Sequence, residues 1–183
     1  MSHMRLLSIA DETNSPPASL PDDPAQGSPG MAGVLGGTEI AIAYKIGYVL
    51  NFYREPSFRR IETEFGITRP EIVTLIVLNY REGVTASDIC EFSGHLKANI
   101  SRGILALEKK GLLRREADAA DRRRQFLFMT EAGRALYARY IPMLREREKA
   151  MLACLTAAER RSFERILDKL AAHVPDWAAA GEL

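Results

Sequence analysis

Between Thr85 and Met129 the apolar residues change their period, and that change limits the fold more than any other feature of the chain. Leu96, Ile100, Ile104 and Leu107 fall four, four and three residues apart, which places them in one stripe along a helix. Gly111 follows, where a helix ends most easily in the left-handed conformation. Ahead of the stripe, Thr85-Ala86-Ser87-Asp88 has the hydroxyl-then-acid spacing of a helix start, and Ser93-Gly94 ends that short helix after Ile89, Cys90 and Phe92. Beyond Gly111, Leu112 to Glu116 and Gln125 to Met129 read as extended stretches flanking a polar loop, Ala117 to Arg124. Helix, tight turn, helix and hairpin in that order predict a helix-turn-helix with a β-hairpin behind it.

The hairpin loop carries Arg122, Arg123 and Arg124 in succession. The whole chain of 183 residues has a net charge of only +1. From His95 to Arg124, however, nine Lys and Arg residues stand against four acids. Any surface for a polyanion is therefore local, on the second helix and the loop. With the Ile100 stripe turned inward, Lys97, Ala98, Asn99, Ser101 and Arg102 face outward near the start of that helix, the part that meets base edges in a major groove. Arg102 has the fork for guanine O6 and N7, and Asn99 suits adenine or a phosphate. An arginine on a loop of small residues suits the negative potential of a narrow minor groove. The flanking Lys109, Lys110, Arg114 and Arg115 read as solvated surface charge.

Long helices are predicted on both sides. Glu39 to Tyr53 is apolar around most of a helical circumference and needs covering on several sides. Pro56 is expected to end that helix and begin another carrying Phe58, Ile61 and Phe65. Arg69 to Arg81 forms a third. After Glu131, Leu136, Tyr140, Leu144, Met151 and Leu155 keep helical phase, with a kink or a shifted start expected at Pro142. Thr156-Ala-Ala-Glu159 caps a last helix with Phe163, Ile166, Leu167 and Leu170. Ala10 to Gly37 is rich in Pro, Gly, Ser and Asp and reads as a flexible, acidic arm. Ser2-His3-Met4 reads as a remnant of cloning.

The expected fold is mainly α with a small β-hairpin. Its parts are an arm at 1–37, N-terminal dimerisation helices at 38–66, a winged helix-turn-helix at 67–130, C-terminal dimerisation helices at 131–174 and a tail at 175–183. Two cysteines, Cys90 and Cys154, without CxxC spacing or a signal segment point to a reducing, cytoplasmic setting. Cys90 reads as a small buried hydrophobe rather than a redox sensor. No apolar run is long enough for a membrane span. No phosphate loop, nucleophilic triad or metal-ligand spacing indicates an enzyme or a cofactor. A winged helix serving only as a protein-interaction module, its basic face meeting an acidic partner, is the alternative.

The stretches ITRPEIVTL at 67–75, NISRGILALEKKGLLRR at 99–115 and DRRRQFLFMTEAGRAL at 121–136 resemble the MarR-type (multiple-antibiotic-resistance regulator) winged-helix transcription factors. The resemblance spans roughly residues 39–174. It implies a homodimer on double-stranded DNA with a pseudo-palindromic operator. Two-fold symmetry then sets the half-sites about 34 Å, one helical turn, apart. Ser101 and Arg102 fall on the family's recognition-helix pair, and Asp121 and Arg123 on its wing Asp-x-Arg. The family implies Arg123 in the minor groove, held by Asp121, with Arg122 near a phosphate. It also implies a repressor released by a small aromatic or phenolic acid, which favours a dimer whose helices no longer match the DNA repeat. Tyr48, Phe52 and Arg59 are the candidates for lining the effector cleft, although Tyr44, Tyr48, Phe52 and Tyr53 read equally well as core or dimer interface. Where the family often places a hydroxyl cap ahead of the recognition helix, this chain has His95-Leu96, so His95 reads either as a phosphate contact or as the end of a turn.

Overall fold

The computed structural model describes residues 31–178. They form eight helices and one hairpin: α1 (Met31–Gly37), α2 (Ala41–Phe65), α3 (Arg69–Tyr80), α4 (Ala86–Ser93), α5 (Lys97–Lys109), β1 (Leu113–Ala117), β2 (Gln125–Met129), α6 (Glu131–Met151), α7 (Ala157–Ala172) and α8 (Val174–Ala178). The chain divides into two compact units, one ending at Val49 and the other beginning at Leu50.

In the first unit, α1 occupies 31–37, where a flexible arm was expected. Met, Ala and Leu there are good helix formers and outweigh the two closing glycines. The rest of the expected arm, 1–30, lies outside the described residues. Ile40, Ile42, Tyr44, Ile46 and Val49 are all exposed in the single chain, as an all-round apolar helix without its cover must be.

The second unit is built on one core. Ile72, Leu75 and Leu78 of α3, Ile89 of α4, Ile100, Ile104 and Leu107 of α5, and Leu113, Leu127 and Met129 of the hairpin are buried together with Ile61, Tyr140 and Leu144. Each fully buried aliphatic side chain contributes about 1.5–3 kcal/mol, so the stripe on α5 is what seats that helix. Thr85 accepts from the Asp88 N–H at 3.3 Å while Asp88 accepts from the Thr85 N–H at 2.7 Å, closing the capping box read in the sequence. Gly94 takes φ 65° and ends α4. Gly103 is needed for a different reason: a Cβ there would meet Pro70 Cβ at 3.0 Å and its carbonyl carbon at 3.1 Å. Without a side chain, α5 can lie this close to the start of α3.

β1 and β2 pair antiparallel, Leu113 opposite Met129 and Ala117 opposite Gln125. Val84 adds a single bridge to Leu127: Val84 O accepts from the Leu127 N–H at 2.8 Å and Leu127 O accepts from the Gly83 N–H at 2.9 Å, which ties the wing to the segment entering α4. Glu82 accepts from the Met129 N–H at 3.0 Å and from Arg134 Nη2 at 3.0 Å, so one carboxylate joins β2 to the start of α6. Although burial opposes it, the bonds from Arg134 and Met129 hold the Glu82 carboxyl below the usual carboxylate range.

Two expectations are corrected, at Pro56 and at Leu96. Pro56 does not divide the helix; α2 runs through it. The carbonyl that Pro56 leaves without a helical donor is that of Phe52, and Arg147 Nη2 from α6 donates to it at 2.8 Å. Pro142 lies inside α6, whose start stays at Glu131. Leu96 leaves the apolar stripe: it is the N-cap of α5, with extended φ −62° and ψ 137°, and its side chain is 74% exposed.

Candidate nucleic-acid interface and an adjoining cavity

Lys97, Ala98, Ser101 and Arg102 are exposed on α5, and Asn99 is half-buried. Arg102 is not loose. Its Nε donates to Ala98 O at 3.3 Å and its Nη2 to Asn99 Oδ1 at 2.6 Å. A guanidinium has five N–H donors, so the remaining hydrogens on Nη1 and Nη2 still form an outward fork.

The helix beneath this edge is fixed at its far end. The Lys110 ammonium donates to Glu71 Oε1 at 2.5 Å and to Gly66 O at 2.8 Å. Glu71 is 1% exposed and also accepts from the Thr68 N–H and hydroxyl through its other oxygen. Lys110 is therefore a strut between α5 and α3, not the solvated charge expected from the sequence.

At the wing, Asp121 Oδ1 accepts the main-chain N–H of Arg123 at 3.0 Å, and Asp121 O accepts that of Arg124 at 2.9 Å. Asp118 Oδ1 shapes the other side through the Ala120 N–H at 2.9 Å. Asp121 thus holds the backbone that carries Arg123. Arg122 and Arg123 are exposed. Arg124, also exposed, lies over the Phe126 ring, 5.0 Å from its centroid, and its charge reaches Asp88. The Thr85 N–H foremost, then the Thr85 hydroxyl and the more distant Arg124 and Arg81, hold the Asp88 carboxyl low against the effect of burial. Between the wing and the first turn of α4 lies a concavity of about 340 Å³ lined by Thr85, Ala86, Ser87, Arg123, Arg124 and Gln125. The α4 residues in that lining had no local sequence signal linking them to the wing.

Phe52 and Arg59 line an open depression along α2 with Asn51, Glu55, Pro56, Arg60, Thr63 and Glu64. Arg59 is engaged with Glu55 at 4.0 Å, both well exposed. Tyr48 belongs to the first unit. A cavity of about 500 Å³ that the sequence did not suggest lies at the foot of α5, lined by Arg54, Arg69, Pro70, Ser93, Gly94, His95, Leu96 and Asn99. Two buried polar atoms there have no protein partner, Arg69 Nε and His95 Nε2. His95 Nδ1 lies 3.0 Å from Ser93 O, a contact that requires the proton on Nδ1 and leaves Nε2 of the neutral ring as a bare acceptor. Burial and the nearby Arg69 charge hold the Arg54 guanidinium below its usual range, partly offset by Glu55. Among the described residues lining this cavity there is no carboxylate. It suits an anion that also carries a hydrogen-bond donor.

A buried three-helix core, a solvent-facing second helix and a two-stranded wing define a winged helix-turn-helix DNA-binding protein. Residues 65–124 match the sequence profile of the MarR family. The HTH-type transcriptional regulator YwaE of Bacillus subtilis is 32% identical over 132 residues, 69% of this chain and 77% of that protein. The chain belongs to the MarR family of transcriptional regulators, and is a regulator rather than an enzyme. A MarR-family regulator from Silicibacter pomeroyi has the same fold, with a TM-score of 0.67 and 27% identity over 73% of this chain and 89% of that one. The HTH-type transcriptional repressor Rv2887 of Mycobacterium tuberculosis is 29% identical over 129 residues, 70% of this chain and 90% of that protein. Its complex with p-aminosalicylic acid superposes with a TM-score of 0.57 at 27% identity, covering 70% of this chain and 97% of that one. Among the described residues no helix is long and apolar enough to cross a membrane.

Proposed function

We propose that this regulator is a homodimeric repressor that reads a pseudo-palindromic operator and is released by a small aromatic carboxylate. The observation that carries the DNA-reading part is the pairing of a seated α5, its Arg102 fork held outward by Asn99, with a wing whose Arg123 backbone is fixed by Asp121. In this reading Ser101, Asn99 and Arg102 meet base edges in the major groove, Lys97 and Ala98 adjoin the backbone, Arg123 enters the minor groove and Arg122 lies near a phosphate. The concavity between the wing and α4 adds a phosphate seat.

The dimer is supported by apolar surface that a single chain leaves open: Phe163, Ile166, Leu167 and Leu170 on α7, with Val174 and Trp177 on α8, are all at least 40% exposed. The division into a DNA-binding lobe at 67–130 between dimerisation helices at 38–66 and 131–174 belongs to the same reading. Rv2887, a repressor by name whose structure holds p-aminosalicylic acid, supports an aromatic acid as effector. The cavity of Arg54, Arg69 and His95 is its better seat than the depression at Phe52 and Arg59. The carboxylate would meet the two guanidiniums, and a ring hydroxyl or amine would donate to His95 Nε2.

Selection of bound duplexes from a random pool, followed by gel shift, tests this directly. An inverted repeat with half-sites one turn apart is the expected result, and p-aminosalicylate should weaken its binding. Enrichment of no sequence would overturn the reading.

A further inference from the structure

The effector cavity and the base-reading edge of α5 share one residue. Asn99 lines the cavity beside Arg69 and His95, and its Oδ1 is the acceptor that holds Arg102 Nη2 at 2.6 Å. Arg102 is exposed, with Ala98 O as its other holder on α5 at 3.3 Å. A long arginine side chain left to itself samples many rotamers, so the Asn99 bond keeps the fork ready for a base. An asparagine amide presents an acceptor and two donors at opposite ends. An anion attracts the donor end.

We propose that Asn99 is the relay between effector and operator: a carboxylate seated on Arg54 and Arg69 draws the Asn99 Nδ2 group toward the cavity, takes Oδ1 from Arg102 and leaves the base-reading arginine without its support. This rests on the effector reading above. It adds to a change in the spacing of the two recognition helices a route that runs inside one protomer, across a single side chain. By linkage, a duplex that engages Arg102 in its supported pose weakens effector binding by the same factor.

The test uses the full chain, with p-aminosalicylate as probe and a duplex selected by the wild-type protein. Calorimetry reads ligand binding, anisotropy reads duplex affinity with and without saturating ligand, and the Nε–H resonance of Arg102, assigned by its loss in Arg102→Lys, reads the side chain without DNA. In the wild type the Arg102 resonance is expected to move along the calorimetric binding curve, and ligand to weaken the duplex about tenfold. Asn99→Ala is expected to bind both ligand and duplex more weakly than wild type, but at ligand concentrations that calorimetry shows to saturate it, ligand is expected to lower its own ligand-free duplex affinity by about twofold or less. Ligand binding to the wild type with a stationary Arg102 resonance, or a full ligand effect in Asn99→Ala, overturns the relay and leaves the effector site standing. Absence of any heat with the wild type, or undiminished heat with Arg69→Gln, overturns the effector site and the relay together.

Discussion

Two exposed surfaces of the second unit are opposites. On α5 and the wing, polar and charged side chains face solvent, yet their positions are fixed: Arg102 by Asn99, the backbone of Arg123 by Asp121, and the end of α5 by Lys110 on Glu71. On α7 the capping box of Thr156 and Glu159 fixes the helix start, but the face beyond it is apolar, and α7 holds no buried residue. The first surface keeps its charges in water and is shaped to exchange water and counterions for a polyanion. The second is unfavourable in water, and in the proposed dimer burial against a second copy would relieve it. The proposed function assigns the first to a partner unlike the chain and the second to another copy of it.

Breaking the apolar side should have the largest effect. Leu167→Glu with Leu170→Glu removes two large side chains and introduces two charges, which should weaken the dimer by roughly 3 kcal/mol or more, about a hundredfold. Sedimentation equilibrium checks it, and an unaltered dimer would take α7 out of the interface. The platform under α5 comes next. Lys110→Met leaves the buried Glu71 without its cation, so the lobe should lose roughly 2–3 kcal/mol in urea unfolding; no loss would mean the strut carries no load. On the charged surface itself, Arg123→Ala should weaken the selected duplex by about tenfold while the dimer persists. Equal affinity in a gel shift would remove the wing from recognition.

The smallest effect concerns the anchor of the wing. The Glu82 carboxyl is held below its ordinary value of 4.5 by Arg134 and the Met129 N–H. A group whose folded value is lowered stabilises the fold above its unfolded value, and that contribution disappears as pH falls through the folded one. Wild-type stability should therefore decline as pH drops below about 4.5, and Glu82→Gln should decline less steeply over the same window. Parallel pH profiles would show that Glu82 does not couple β2 to α6.

Much of the charged surface was legible in the sequence because its signals are local. The capping boxes at Thr85 and Thr156 and the period of Ile100, Ile104 and Leu107 each depend on residues only a few positions apart, while the hold of Asp121 on Arg123 was implied by the family resemblance. Leu96 was misread because spacing alone does not distinguish the last position outside a helix from the first inside it. Pro56 was misread because its remedy, Arg147, comes from a different helix. The cavity was illegible for the same reason: Arg54, Arg69 and His95 lie on separate elements, and nothing in the neighbourhood of each indicates that they converge. Lys110 looked like surface charge until its partner, the capping carboxylate of α3, was seen to be buried.

Anisotropy titration of a selected duplex at stepped salt concentrations joins both surfaces in one measurement. Two chains per duplex, with log affinity falling steeply as salt rises, by roughly 0.9 per neutralised phosphate for each unit of log salt, is the expected result. Binding by one chain alone, or an affinity indifferent to salt, would contradict it.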